Sequence, residues 1–137
     1  MLSIIFISIL LVFITTLIHG FILSPIVENL QNSRLHKAIT LPVGVQFIVF
    51  IHVMEAALYG VGFYFGASEG LGSFKQTDYM SMMDYQYFSL VNYNTLGLGD
   101  IYPTGHLRFL AGVEALNGFL LISCSAMYMH KLMTSKP

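Results

Sequence analysis

The sequence predicts an all-α membrane protein with three transmembrane helices and one short helix that enters the membrane without crossing it. The chain of 137 residues is 55% hydrophobic and 9% charged, with a mean hydropathy of +0.71, too apolar for a domain surrounded by water. Its apolar residues gather into three runs, each long enough to cross about 30 Å of hydrocarbon as a helix. Between the second and third runs stands a shorter apolar segment, 79–93, followed by Thr95-Leu96-Gly97-Leu98-Gly99-Asp100. Glycine at alternate positions disfavours both helix and strand there.

The first run, 2–23, holds no acidic or basic residue apart from His19 and measures about 33 Å as a helix. No Lys or Arg precedes it and no small-x-small pattern follows it. Segment 1–23 is therefore read as an N-terminal transmembrane helix and not as a removed leader. Segment 24–40 is a polar linker on the cytoplasmic side, with Ser24 and Pro25 placed like the cap and first residue of a short interfacial helix. The second span is 41–66, with Pro42 near its start, where proline is tolerated. Ala56, Ala57, Gly60, Gly62 and Gly66 give it a face that another helix can approach closely.

A glycine-rich loop leads to Asp78, a fair N-cap for 79–93, which at roughly 20 Å is too short to span. Backbone of this kind at membrane depth must be buried in protein or line water. The third span is 105–130, with 131–137 as a cytoplasmic tail. Net charge is -1, and with no long basic run nothing points to nucleic acid. Cys124 is a lone cysteine, so no intrachain disulfide forms, and its mid-span position suggests a small buried side chain.

Gly97 and Gly99 can take positive φ, so glycine alternating with Leu96 and Leu98 turns successive carbonyls toward one side while the leucines point into the wall. Several such strands around an axis replace the water of a dehydrated cation, with the Thr95 hydroxyl as a further oxygen. Thr95 to Asp100, followed by Pro103, resembles the T-x-G-x-G-D selectivity filter of the potassium channel family. The resemblance covers roughly 44–129: outer helix, pore helix 79–93, filter 95–100 and inner helix 105–130, a pore domain of 41–130. It implies a tetrameric potassium-channel-like pore, with K⁺ held by Thr95, Leu96, Gly97 and Leu98 alongside Gly99, and Asp100 at the outer mouth. It also implies an arginine at the head of the inner helix, Arg108, and a hinge glycine, Gly118. Leu98 departs from the family's pattern, in which an aromatic is commoner, and offers no side-chain oxygen to the pore helix behind it.

His52, Glu55 and Glu114 all fall about 15–20 Å below the outer face by helix rise. Ionisable groups at that depth require a reason, and the three are expected to meet as a polar or proton-sensing cluster acting on the inner helix. His19 is not placed in it. The positive-inside bias puts Arg34, Lys37, Lys131 and Lys136 in the cytoplasm and the filter and N-terminus outside, with Glu69, Asp78, Asp84 and Asp100 forming an acidic mouth. The expected function is a passive, potassium-selective cation channel. It would be a homotetramer in the lipid bilayer, with no cofactor beyond the permeant K⁺, no small-molecule substrate and no enzyme activity. A bacterial inner membrane is the expected setting. The alternatives are a non-selective cation channel, a channel-like accessory subunit, and an intramembrane metal-binding protein using His19, His52, Glu55 and Glu114.

Overall fold

The computed structural model describes residues 1–33, 36–75 and 79–134, with no side-chain placement for Lys37. The charges assigned to Arg34, Lys37 and Lys136 and the cap assigned to Asp78 lie outside the described residues. Helices α1 (Leu2–Gln31), α2 (Lys37–Ser68) and α4 (Leu107–Thr134) are each long and apolar enough to cross a membrane. Helix α3 (Met82–Tyr93) is the short one. Strands β1 (Phe74–Lys75) and β2 (Tyr102–Pro103) pair antiparallel, Phe74 opposite Pro103 and Lys75 opposite Tyr102.

Several expected boundaries move, each for a local reason. The first helix does not end at residue 23 but continues through Ser24 and Pro25 to Gln31. An internal proline loses a hydrogen bond and clashes with the preceding turn, costing about 3 kcal/mol. Packing offsets it here: Leu23 and Val27 are buried on either side of Pro25, in one cluster with Ile48, Ile51 and Leu132. The interfacial helix expected to start at Pro25 is thus the end of α1, and the linker is correspondingly short. Helix α2 starts at Lys37, four residues earlier than expected, because the His36 ring accepts from the Ala38 amide at 3.2 Å and caps the new first turn.

Helix α3 starts at Met82, not at 79. Ser81 and Asp84 form a reciprocal capping box, the Ser81 amide donating to Asp84 at 2.8 Å and the Asp84 amide to the Ser81 hydroxyl at 3.3 Å. That satisfies two of the amides a helix start leaves free. Helix α4 begins after Gly105, whose φ of +58° breaks the helical path, and runs into the expected tail as far as Thr134. Cys124 is exposed on α4 and not buried as expected, since α4 turns that face away from the other helices of its own chain.

The β pair was not anticipated, and it fixes the frame of the outer face. Thr104 donates its amide to the Ser73 carbonyl at 2.7 Å and accepts the Ser73 amide on its hydroxyl at 3.0 Å, while the His106 amide reaches Leu71 at 2.8 Å. The loop before α3 and the segment after the filter are therefore stitched together. Beneath them Phe63, Phe74, Tyr85 and Phe88 meet edge to face, with ring centroids 5.0–5.8 Å apart, a geometry aromatic quadrupoles favour. Gly62 and Gly66 of α2 admit Leu11 of α1 and Leu107 of α4, as their small size suggested.

Gly118 allows a close approach of another kind, between a helix and backbone. A Cβ there would lie 2.2 Å from the Tyr93 carbonyl oxygen at the end of α3, so α4 and the backbone of the short helix touch directly. Gly118→Ala is expected to lower the stability of the purified protein by about 1–3 kcal/mol through overpacking. Gly20→Ala, with nothing within 4 Å of the added carbon, should be neutral or slightly stabilising. Thermal unfolding in detergent compares them, and equal melting temperatures would show that the α3–α4 contact yields freely.

Candidate functional site

The end of α3 and the stretch from Thr95 to Asp100 are continuous. Asn94 caps the helix, Thr95 follows with φ +58°, and the amides of Thr95 and Leu96 return to the carbonyls of Asn92 at 2.9 Å and Val91 at 3.1 Å. This is the paired bonding of a Schellman motif, normally closed by glycine. A β-branched residue in the left-handed region is an outlier costing about 1–2 kcal/mol. Thr95 adopts it because the next residues need it: Gly97 (φ +55°) and Gly99 (φ +76°) share the conformation, whereas Leu96 and Leu98 do not. Left-handed and ordinary residues alternate from Thr95 to Gly99, the pattern that swings successive carbonyls to one side.

Asp100 closes the stretch. Its carboxylate accepts the Tyr87 hydroxyl at 2.6 Å and the Ile101 amide at 3.0 Å, so the Asp100 end of the stretch is pinned to α3 through a partner the sequence does not name. The Tyr87 hydroxyl holds Asp100 below the usual carboxylate range, and the same bond raises the Tyr87 phenol. The leucines differ from expectation. Leu96 is 64% and Leu98 58% exposed in the single chain, and behind Leu98 lies a gap of about 20 Å³ bordered by Phe88, Val91 and Asn92. The chain supplies only part of the wall these side chains need.

The expected cluster of His52, Glu55 and Glu114 is corrected, because it separates into two. Glu114, fully buried, accepts from Asn92 at 2.5 Å and contacts the Ser89 hydroxyl, which also reaches the Ala56 carbonyl. It ties α4 to the flank of α3. Glu55 belongs to the second set. It accepts from His19 Nδ1 at 3.0 Å, His52 Nδ1 at 3.1 Å and the Tyr93 hydroxyl at 2.5 Å. His52 Nε2 meets Ser125 Oγ at 2.9 Å, and His19 Nε2 lies 3.5 Å from the same oxygen. Helix rise sets the spacing of these residues along each axis but not the direction each side chain faces. A third link joins Asn117 of α4 to Thr15 at 2.8 Å and Tyr59 at 3.1 Å.

Several partners went unnoticed: Tyr87, Ser89, Asn92, Tyr93, Asn117 and Ser125. For some a signal existed. Ser89, Asn92 and Tyr93 recur at three- and four-residue spacing on one face of α3, and Ser8, Thr15 and His19 share a stripe of α1 buried with Ile4, Leu11, Leu23 and Val27. A polar stripe on an apolar helix is itself a packing signal. Arg108 stands exposed in the first turn of α4.

Three membrane-length helices, two of which hold a short helix between them with an alternating-handed backbone leading away from it, define an all-α membrane protein. A family model described as "Ion channel" matches residues 43–135, more than half of the chain, and the chain belongs to that family. It is an integral membrane channel subunit. No curated protein and no solved structure matches it.

The Tyr87–Asp100 bond gives a pH prediction. A depressed aspartate contributes stability that is fully present above its ordinary pKa, about 3.9, and is lost as pH falls through the depressed value. A raised tyrosine contributes below its ordinary value, about 10, and that contribution is lost as pH rises through the raised one. Melting temperature should therefore be insensitive to this pair from about pH 4 to 10 and decline on either side. Tyr87→Phe should move the acid decline upward toward the ordinary aspartate range. An acid limb identical in the two proteins would mean that the bond does not form in solution.

Proposed function

We propose that the chain assembles as a homotetramer into a passive, potassium-selective channel. The observation that carries this reading is the alternation of left-handed and ordinary backbone over Thr95, Leu96, Gly97, Leu98 and Gly99. One chain presents carbonyls from one side only, so enclosing an ion takes several copies around an axis. The exposure of Leu96 and Leu98 supports the same conclusion, since a neighbouring copy would complete their wall. K⁺ would exchange its water for the carbonyls of Thr95, Leu96, Gly97 and Leu98, with neighbouring ions repelling one another forward.

In this reading the filter and the N-terminus face outward. Glu69, Asp84 and Asp100 form an acidic mouth that concentrates cations, and the C-terminal end of α3 directs the negative end of its dipole toward the permeating ion. Asp100, tied to Tyr87, keeps the filter's outer end in place. Gly118 is where α4 would pivot, and such movement has to release the contact with the Tyr93 carbonyl. No cofactor takes part; K⁺ is cargo. A non-selective pore is the second reading, supported by the gap behind Leu98 and its lack of a side-chain oxygen.

The test is ion flux through purified protein in liposomes, with K⁺ or Na⁺ as the permeant ion. K⁺ flux is expected to exceed Na⁺ flux, and Gly97→Ala to reduce it by roughly tenfold or more, because left-handed alanine costs about 1–2 kcal/mol in each of four subunits. Equal fluxes of the two ions would establish the non-selective pore. Absence of flux would identify a subunit that conducts only with a different partner.

A further inference from the structure

Outside the filter, the densest gathering of ligand-type side chains is His19, His52 and Glu55. Glu55 is fully buried, His19 nearly so, and the His52 side chain is 14% exposed. His52 and Glu55 come from one face of α2, three residues apart, and His19 arrives from α1 on the opposite side of the carboxylate. One ligand atom from each can be chosen so that all lie within 4.8 Å of one another.

We propose that His19, His52 and Glu55 form a binding site for a divalent first-row transition cation of the zinc type. The donor set of two imidazoles and one carboxylate suits such an ion better than calcium or magnesium, which prefer oxygen alone. Zinc bonds of about 2.0–2.1 Å in a tetrahedron hold their ligands about 3.3 Å apart. His19 Nδ1 stands 3.0 Å from one Glu55 carboxylate oxygen and His52 Nδ1 3.1 Å from the other; each ring is within a few tenths of an ångström of that spacing from its own oxygen, and closing both rings on one cation takes a rotation of the carboxylate or of a ring.

The second observation concerns the far side of each ring. A cation on Nδ1 takes that nitrogen's lone pair, so a neutral imidazole must carry its proton on Nε2 and needs an acceptor there. Ser125 Oγ lies 2.9 Å from Nε2 of His52 and 3.5 Å from Nε2 of His19, and a hydroxyl oxygen has two lone pairs. The outer acceptor for both rings is therefore already in place, contributed by α4. Binding shifts each ring's proton from Nδ1 to Nε2, leaving two neutral imidazoles, one carboxylate and a divalent ion, with one net positive charge on the site. The Tyr93 hydroxyl, 3.0 Å from His52 Nδ1 and donating to Glu55, flanks a fourth position.

His52 and Ser125 both line an open cavity of about 480 Å³ between α2, α3 and α4, bordered mostly by apolar side chains, so the His52 side of the site is not sealed by the chain itself. A bound cation would lock α1 to α2 directly and to α4 through Ser125. The site depends on neither selectivity nor conduction, so a channel and a metal-binding protein are compatible descriptions of this chain.

The test uses the full-length protein in detergent, stripped with a chelator and titrated with Co²⁺, whose visible absorption reports a four- or five-coordinate site. One Co²⁺ per chain is expected, displaced by one Zn²⁺. His19→Gln and Glu55→Gln should abolish the spectrum, Ser125→Ala should weaken binding about 10–100-fold, and His106→Gln, an exposed histidine at the head of α4, should leave it unchanged. Because substitution at buried Glu55 could unfold the protein, His52→Gln is judged only where its elution volume matches the parent. Loss of Co²⁺ from that folded variant supports the site. Absence of stoichiometric Co²⁺ in the parent protein, or an unaltered spectrum in folded His52→Gln, overturns it whatever the flux measurements show.

Discussion

Irregular backbone at membrane depth has to be satisfied and held by protein, and most of this fold follows from that requirement. The stretch from Thr95 to Gly99 makes no regular secondary structure. Its inner end is fixed by the Schellman bonds to Val91 and Asn92, its outer end by Tyr87 on Asp100. Both anchors belong to α3, so the short helix and the stretch after it form one bonded hairpin. The strain at Thr95 persists because those bonds over-determine it.

The hairpin is in turn held by everything around it. The β pair and the Ser73–Thr104 bonds clamp its outer loops. Ser89 and Asn92 fasten its flank to Glu114 of α4 and to the Ala56 carbonyl of α2. Its inner end rests with the Tyr93 carbonyl on Gly118 and the Tyr93 hydroxyl on Glu55. Apolar packing of Tyr85 and Phe88 against Phe63 and Phe74 accompanies these bonds; in a lipid setting apolar contact between helices competes with equally apolar tails, so directed bonds decide the register.

Much of this was legible from residue types and much was not, for separable reasons. Three spans, a short helix and positive φ at Gly97 and Gly99 follow from apolar length and from what glycine alone can do. The persistence of α1 across Pro25 was not legible, because the penalty is local while the compensation comes from Leu132 and Ile51, far away in sequence. Helix rise placed His52, Glu55 and Glu114 at similar depth but said nothing of rotation about each axis, and rotation is what separates Glu114 from the histidines. The two-residue strands are too short to show a period. Ser125 carries no signature of its own and gains meaning only from what faces it.

The same reasoning decides what α1 is. A helix that merely anchored the chain would need no directed contacts, since lipid satisfies an apolar surface as well as protein does. Ser8 and Thr15 return their hydroxyls to the carbonyls of Ile4 and Leu11, yet Thr15 also accepts from Asn117. His19 spends its ring on Glu55 and lies near Ser125. Those contacts fall on α2 and on α4 at two levels, one beside Gly118 and one about two turns deeper. A helix bonded at both levels cannot rotate or slide against α4 without breaking buried polar contacts, each costing about 1–3 kcal/mol when left unsatisfied. Helix α1 is therefore held to α4 by directed bonds at both levels, and any displacement of α4 against α1 has to be accommodated at His19 and Thr15.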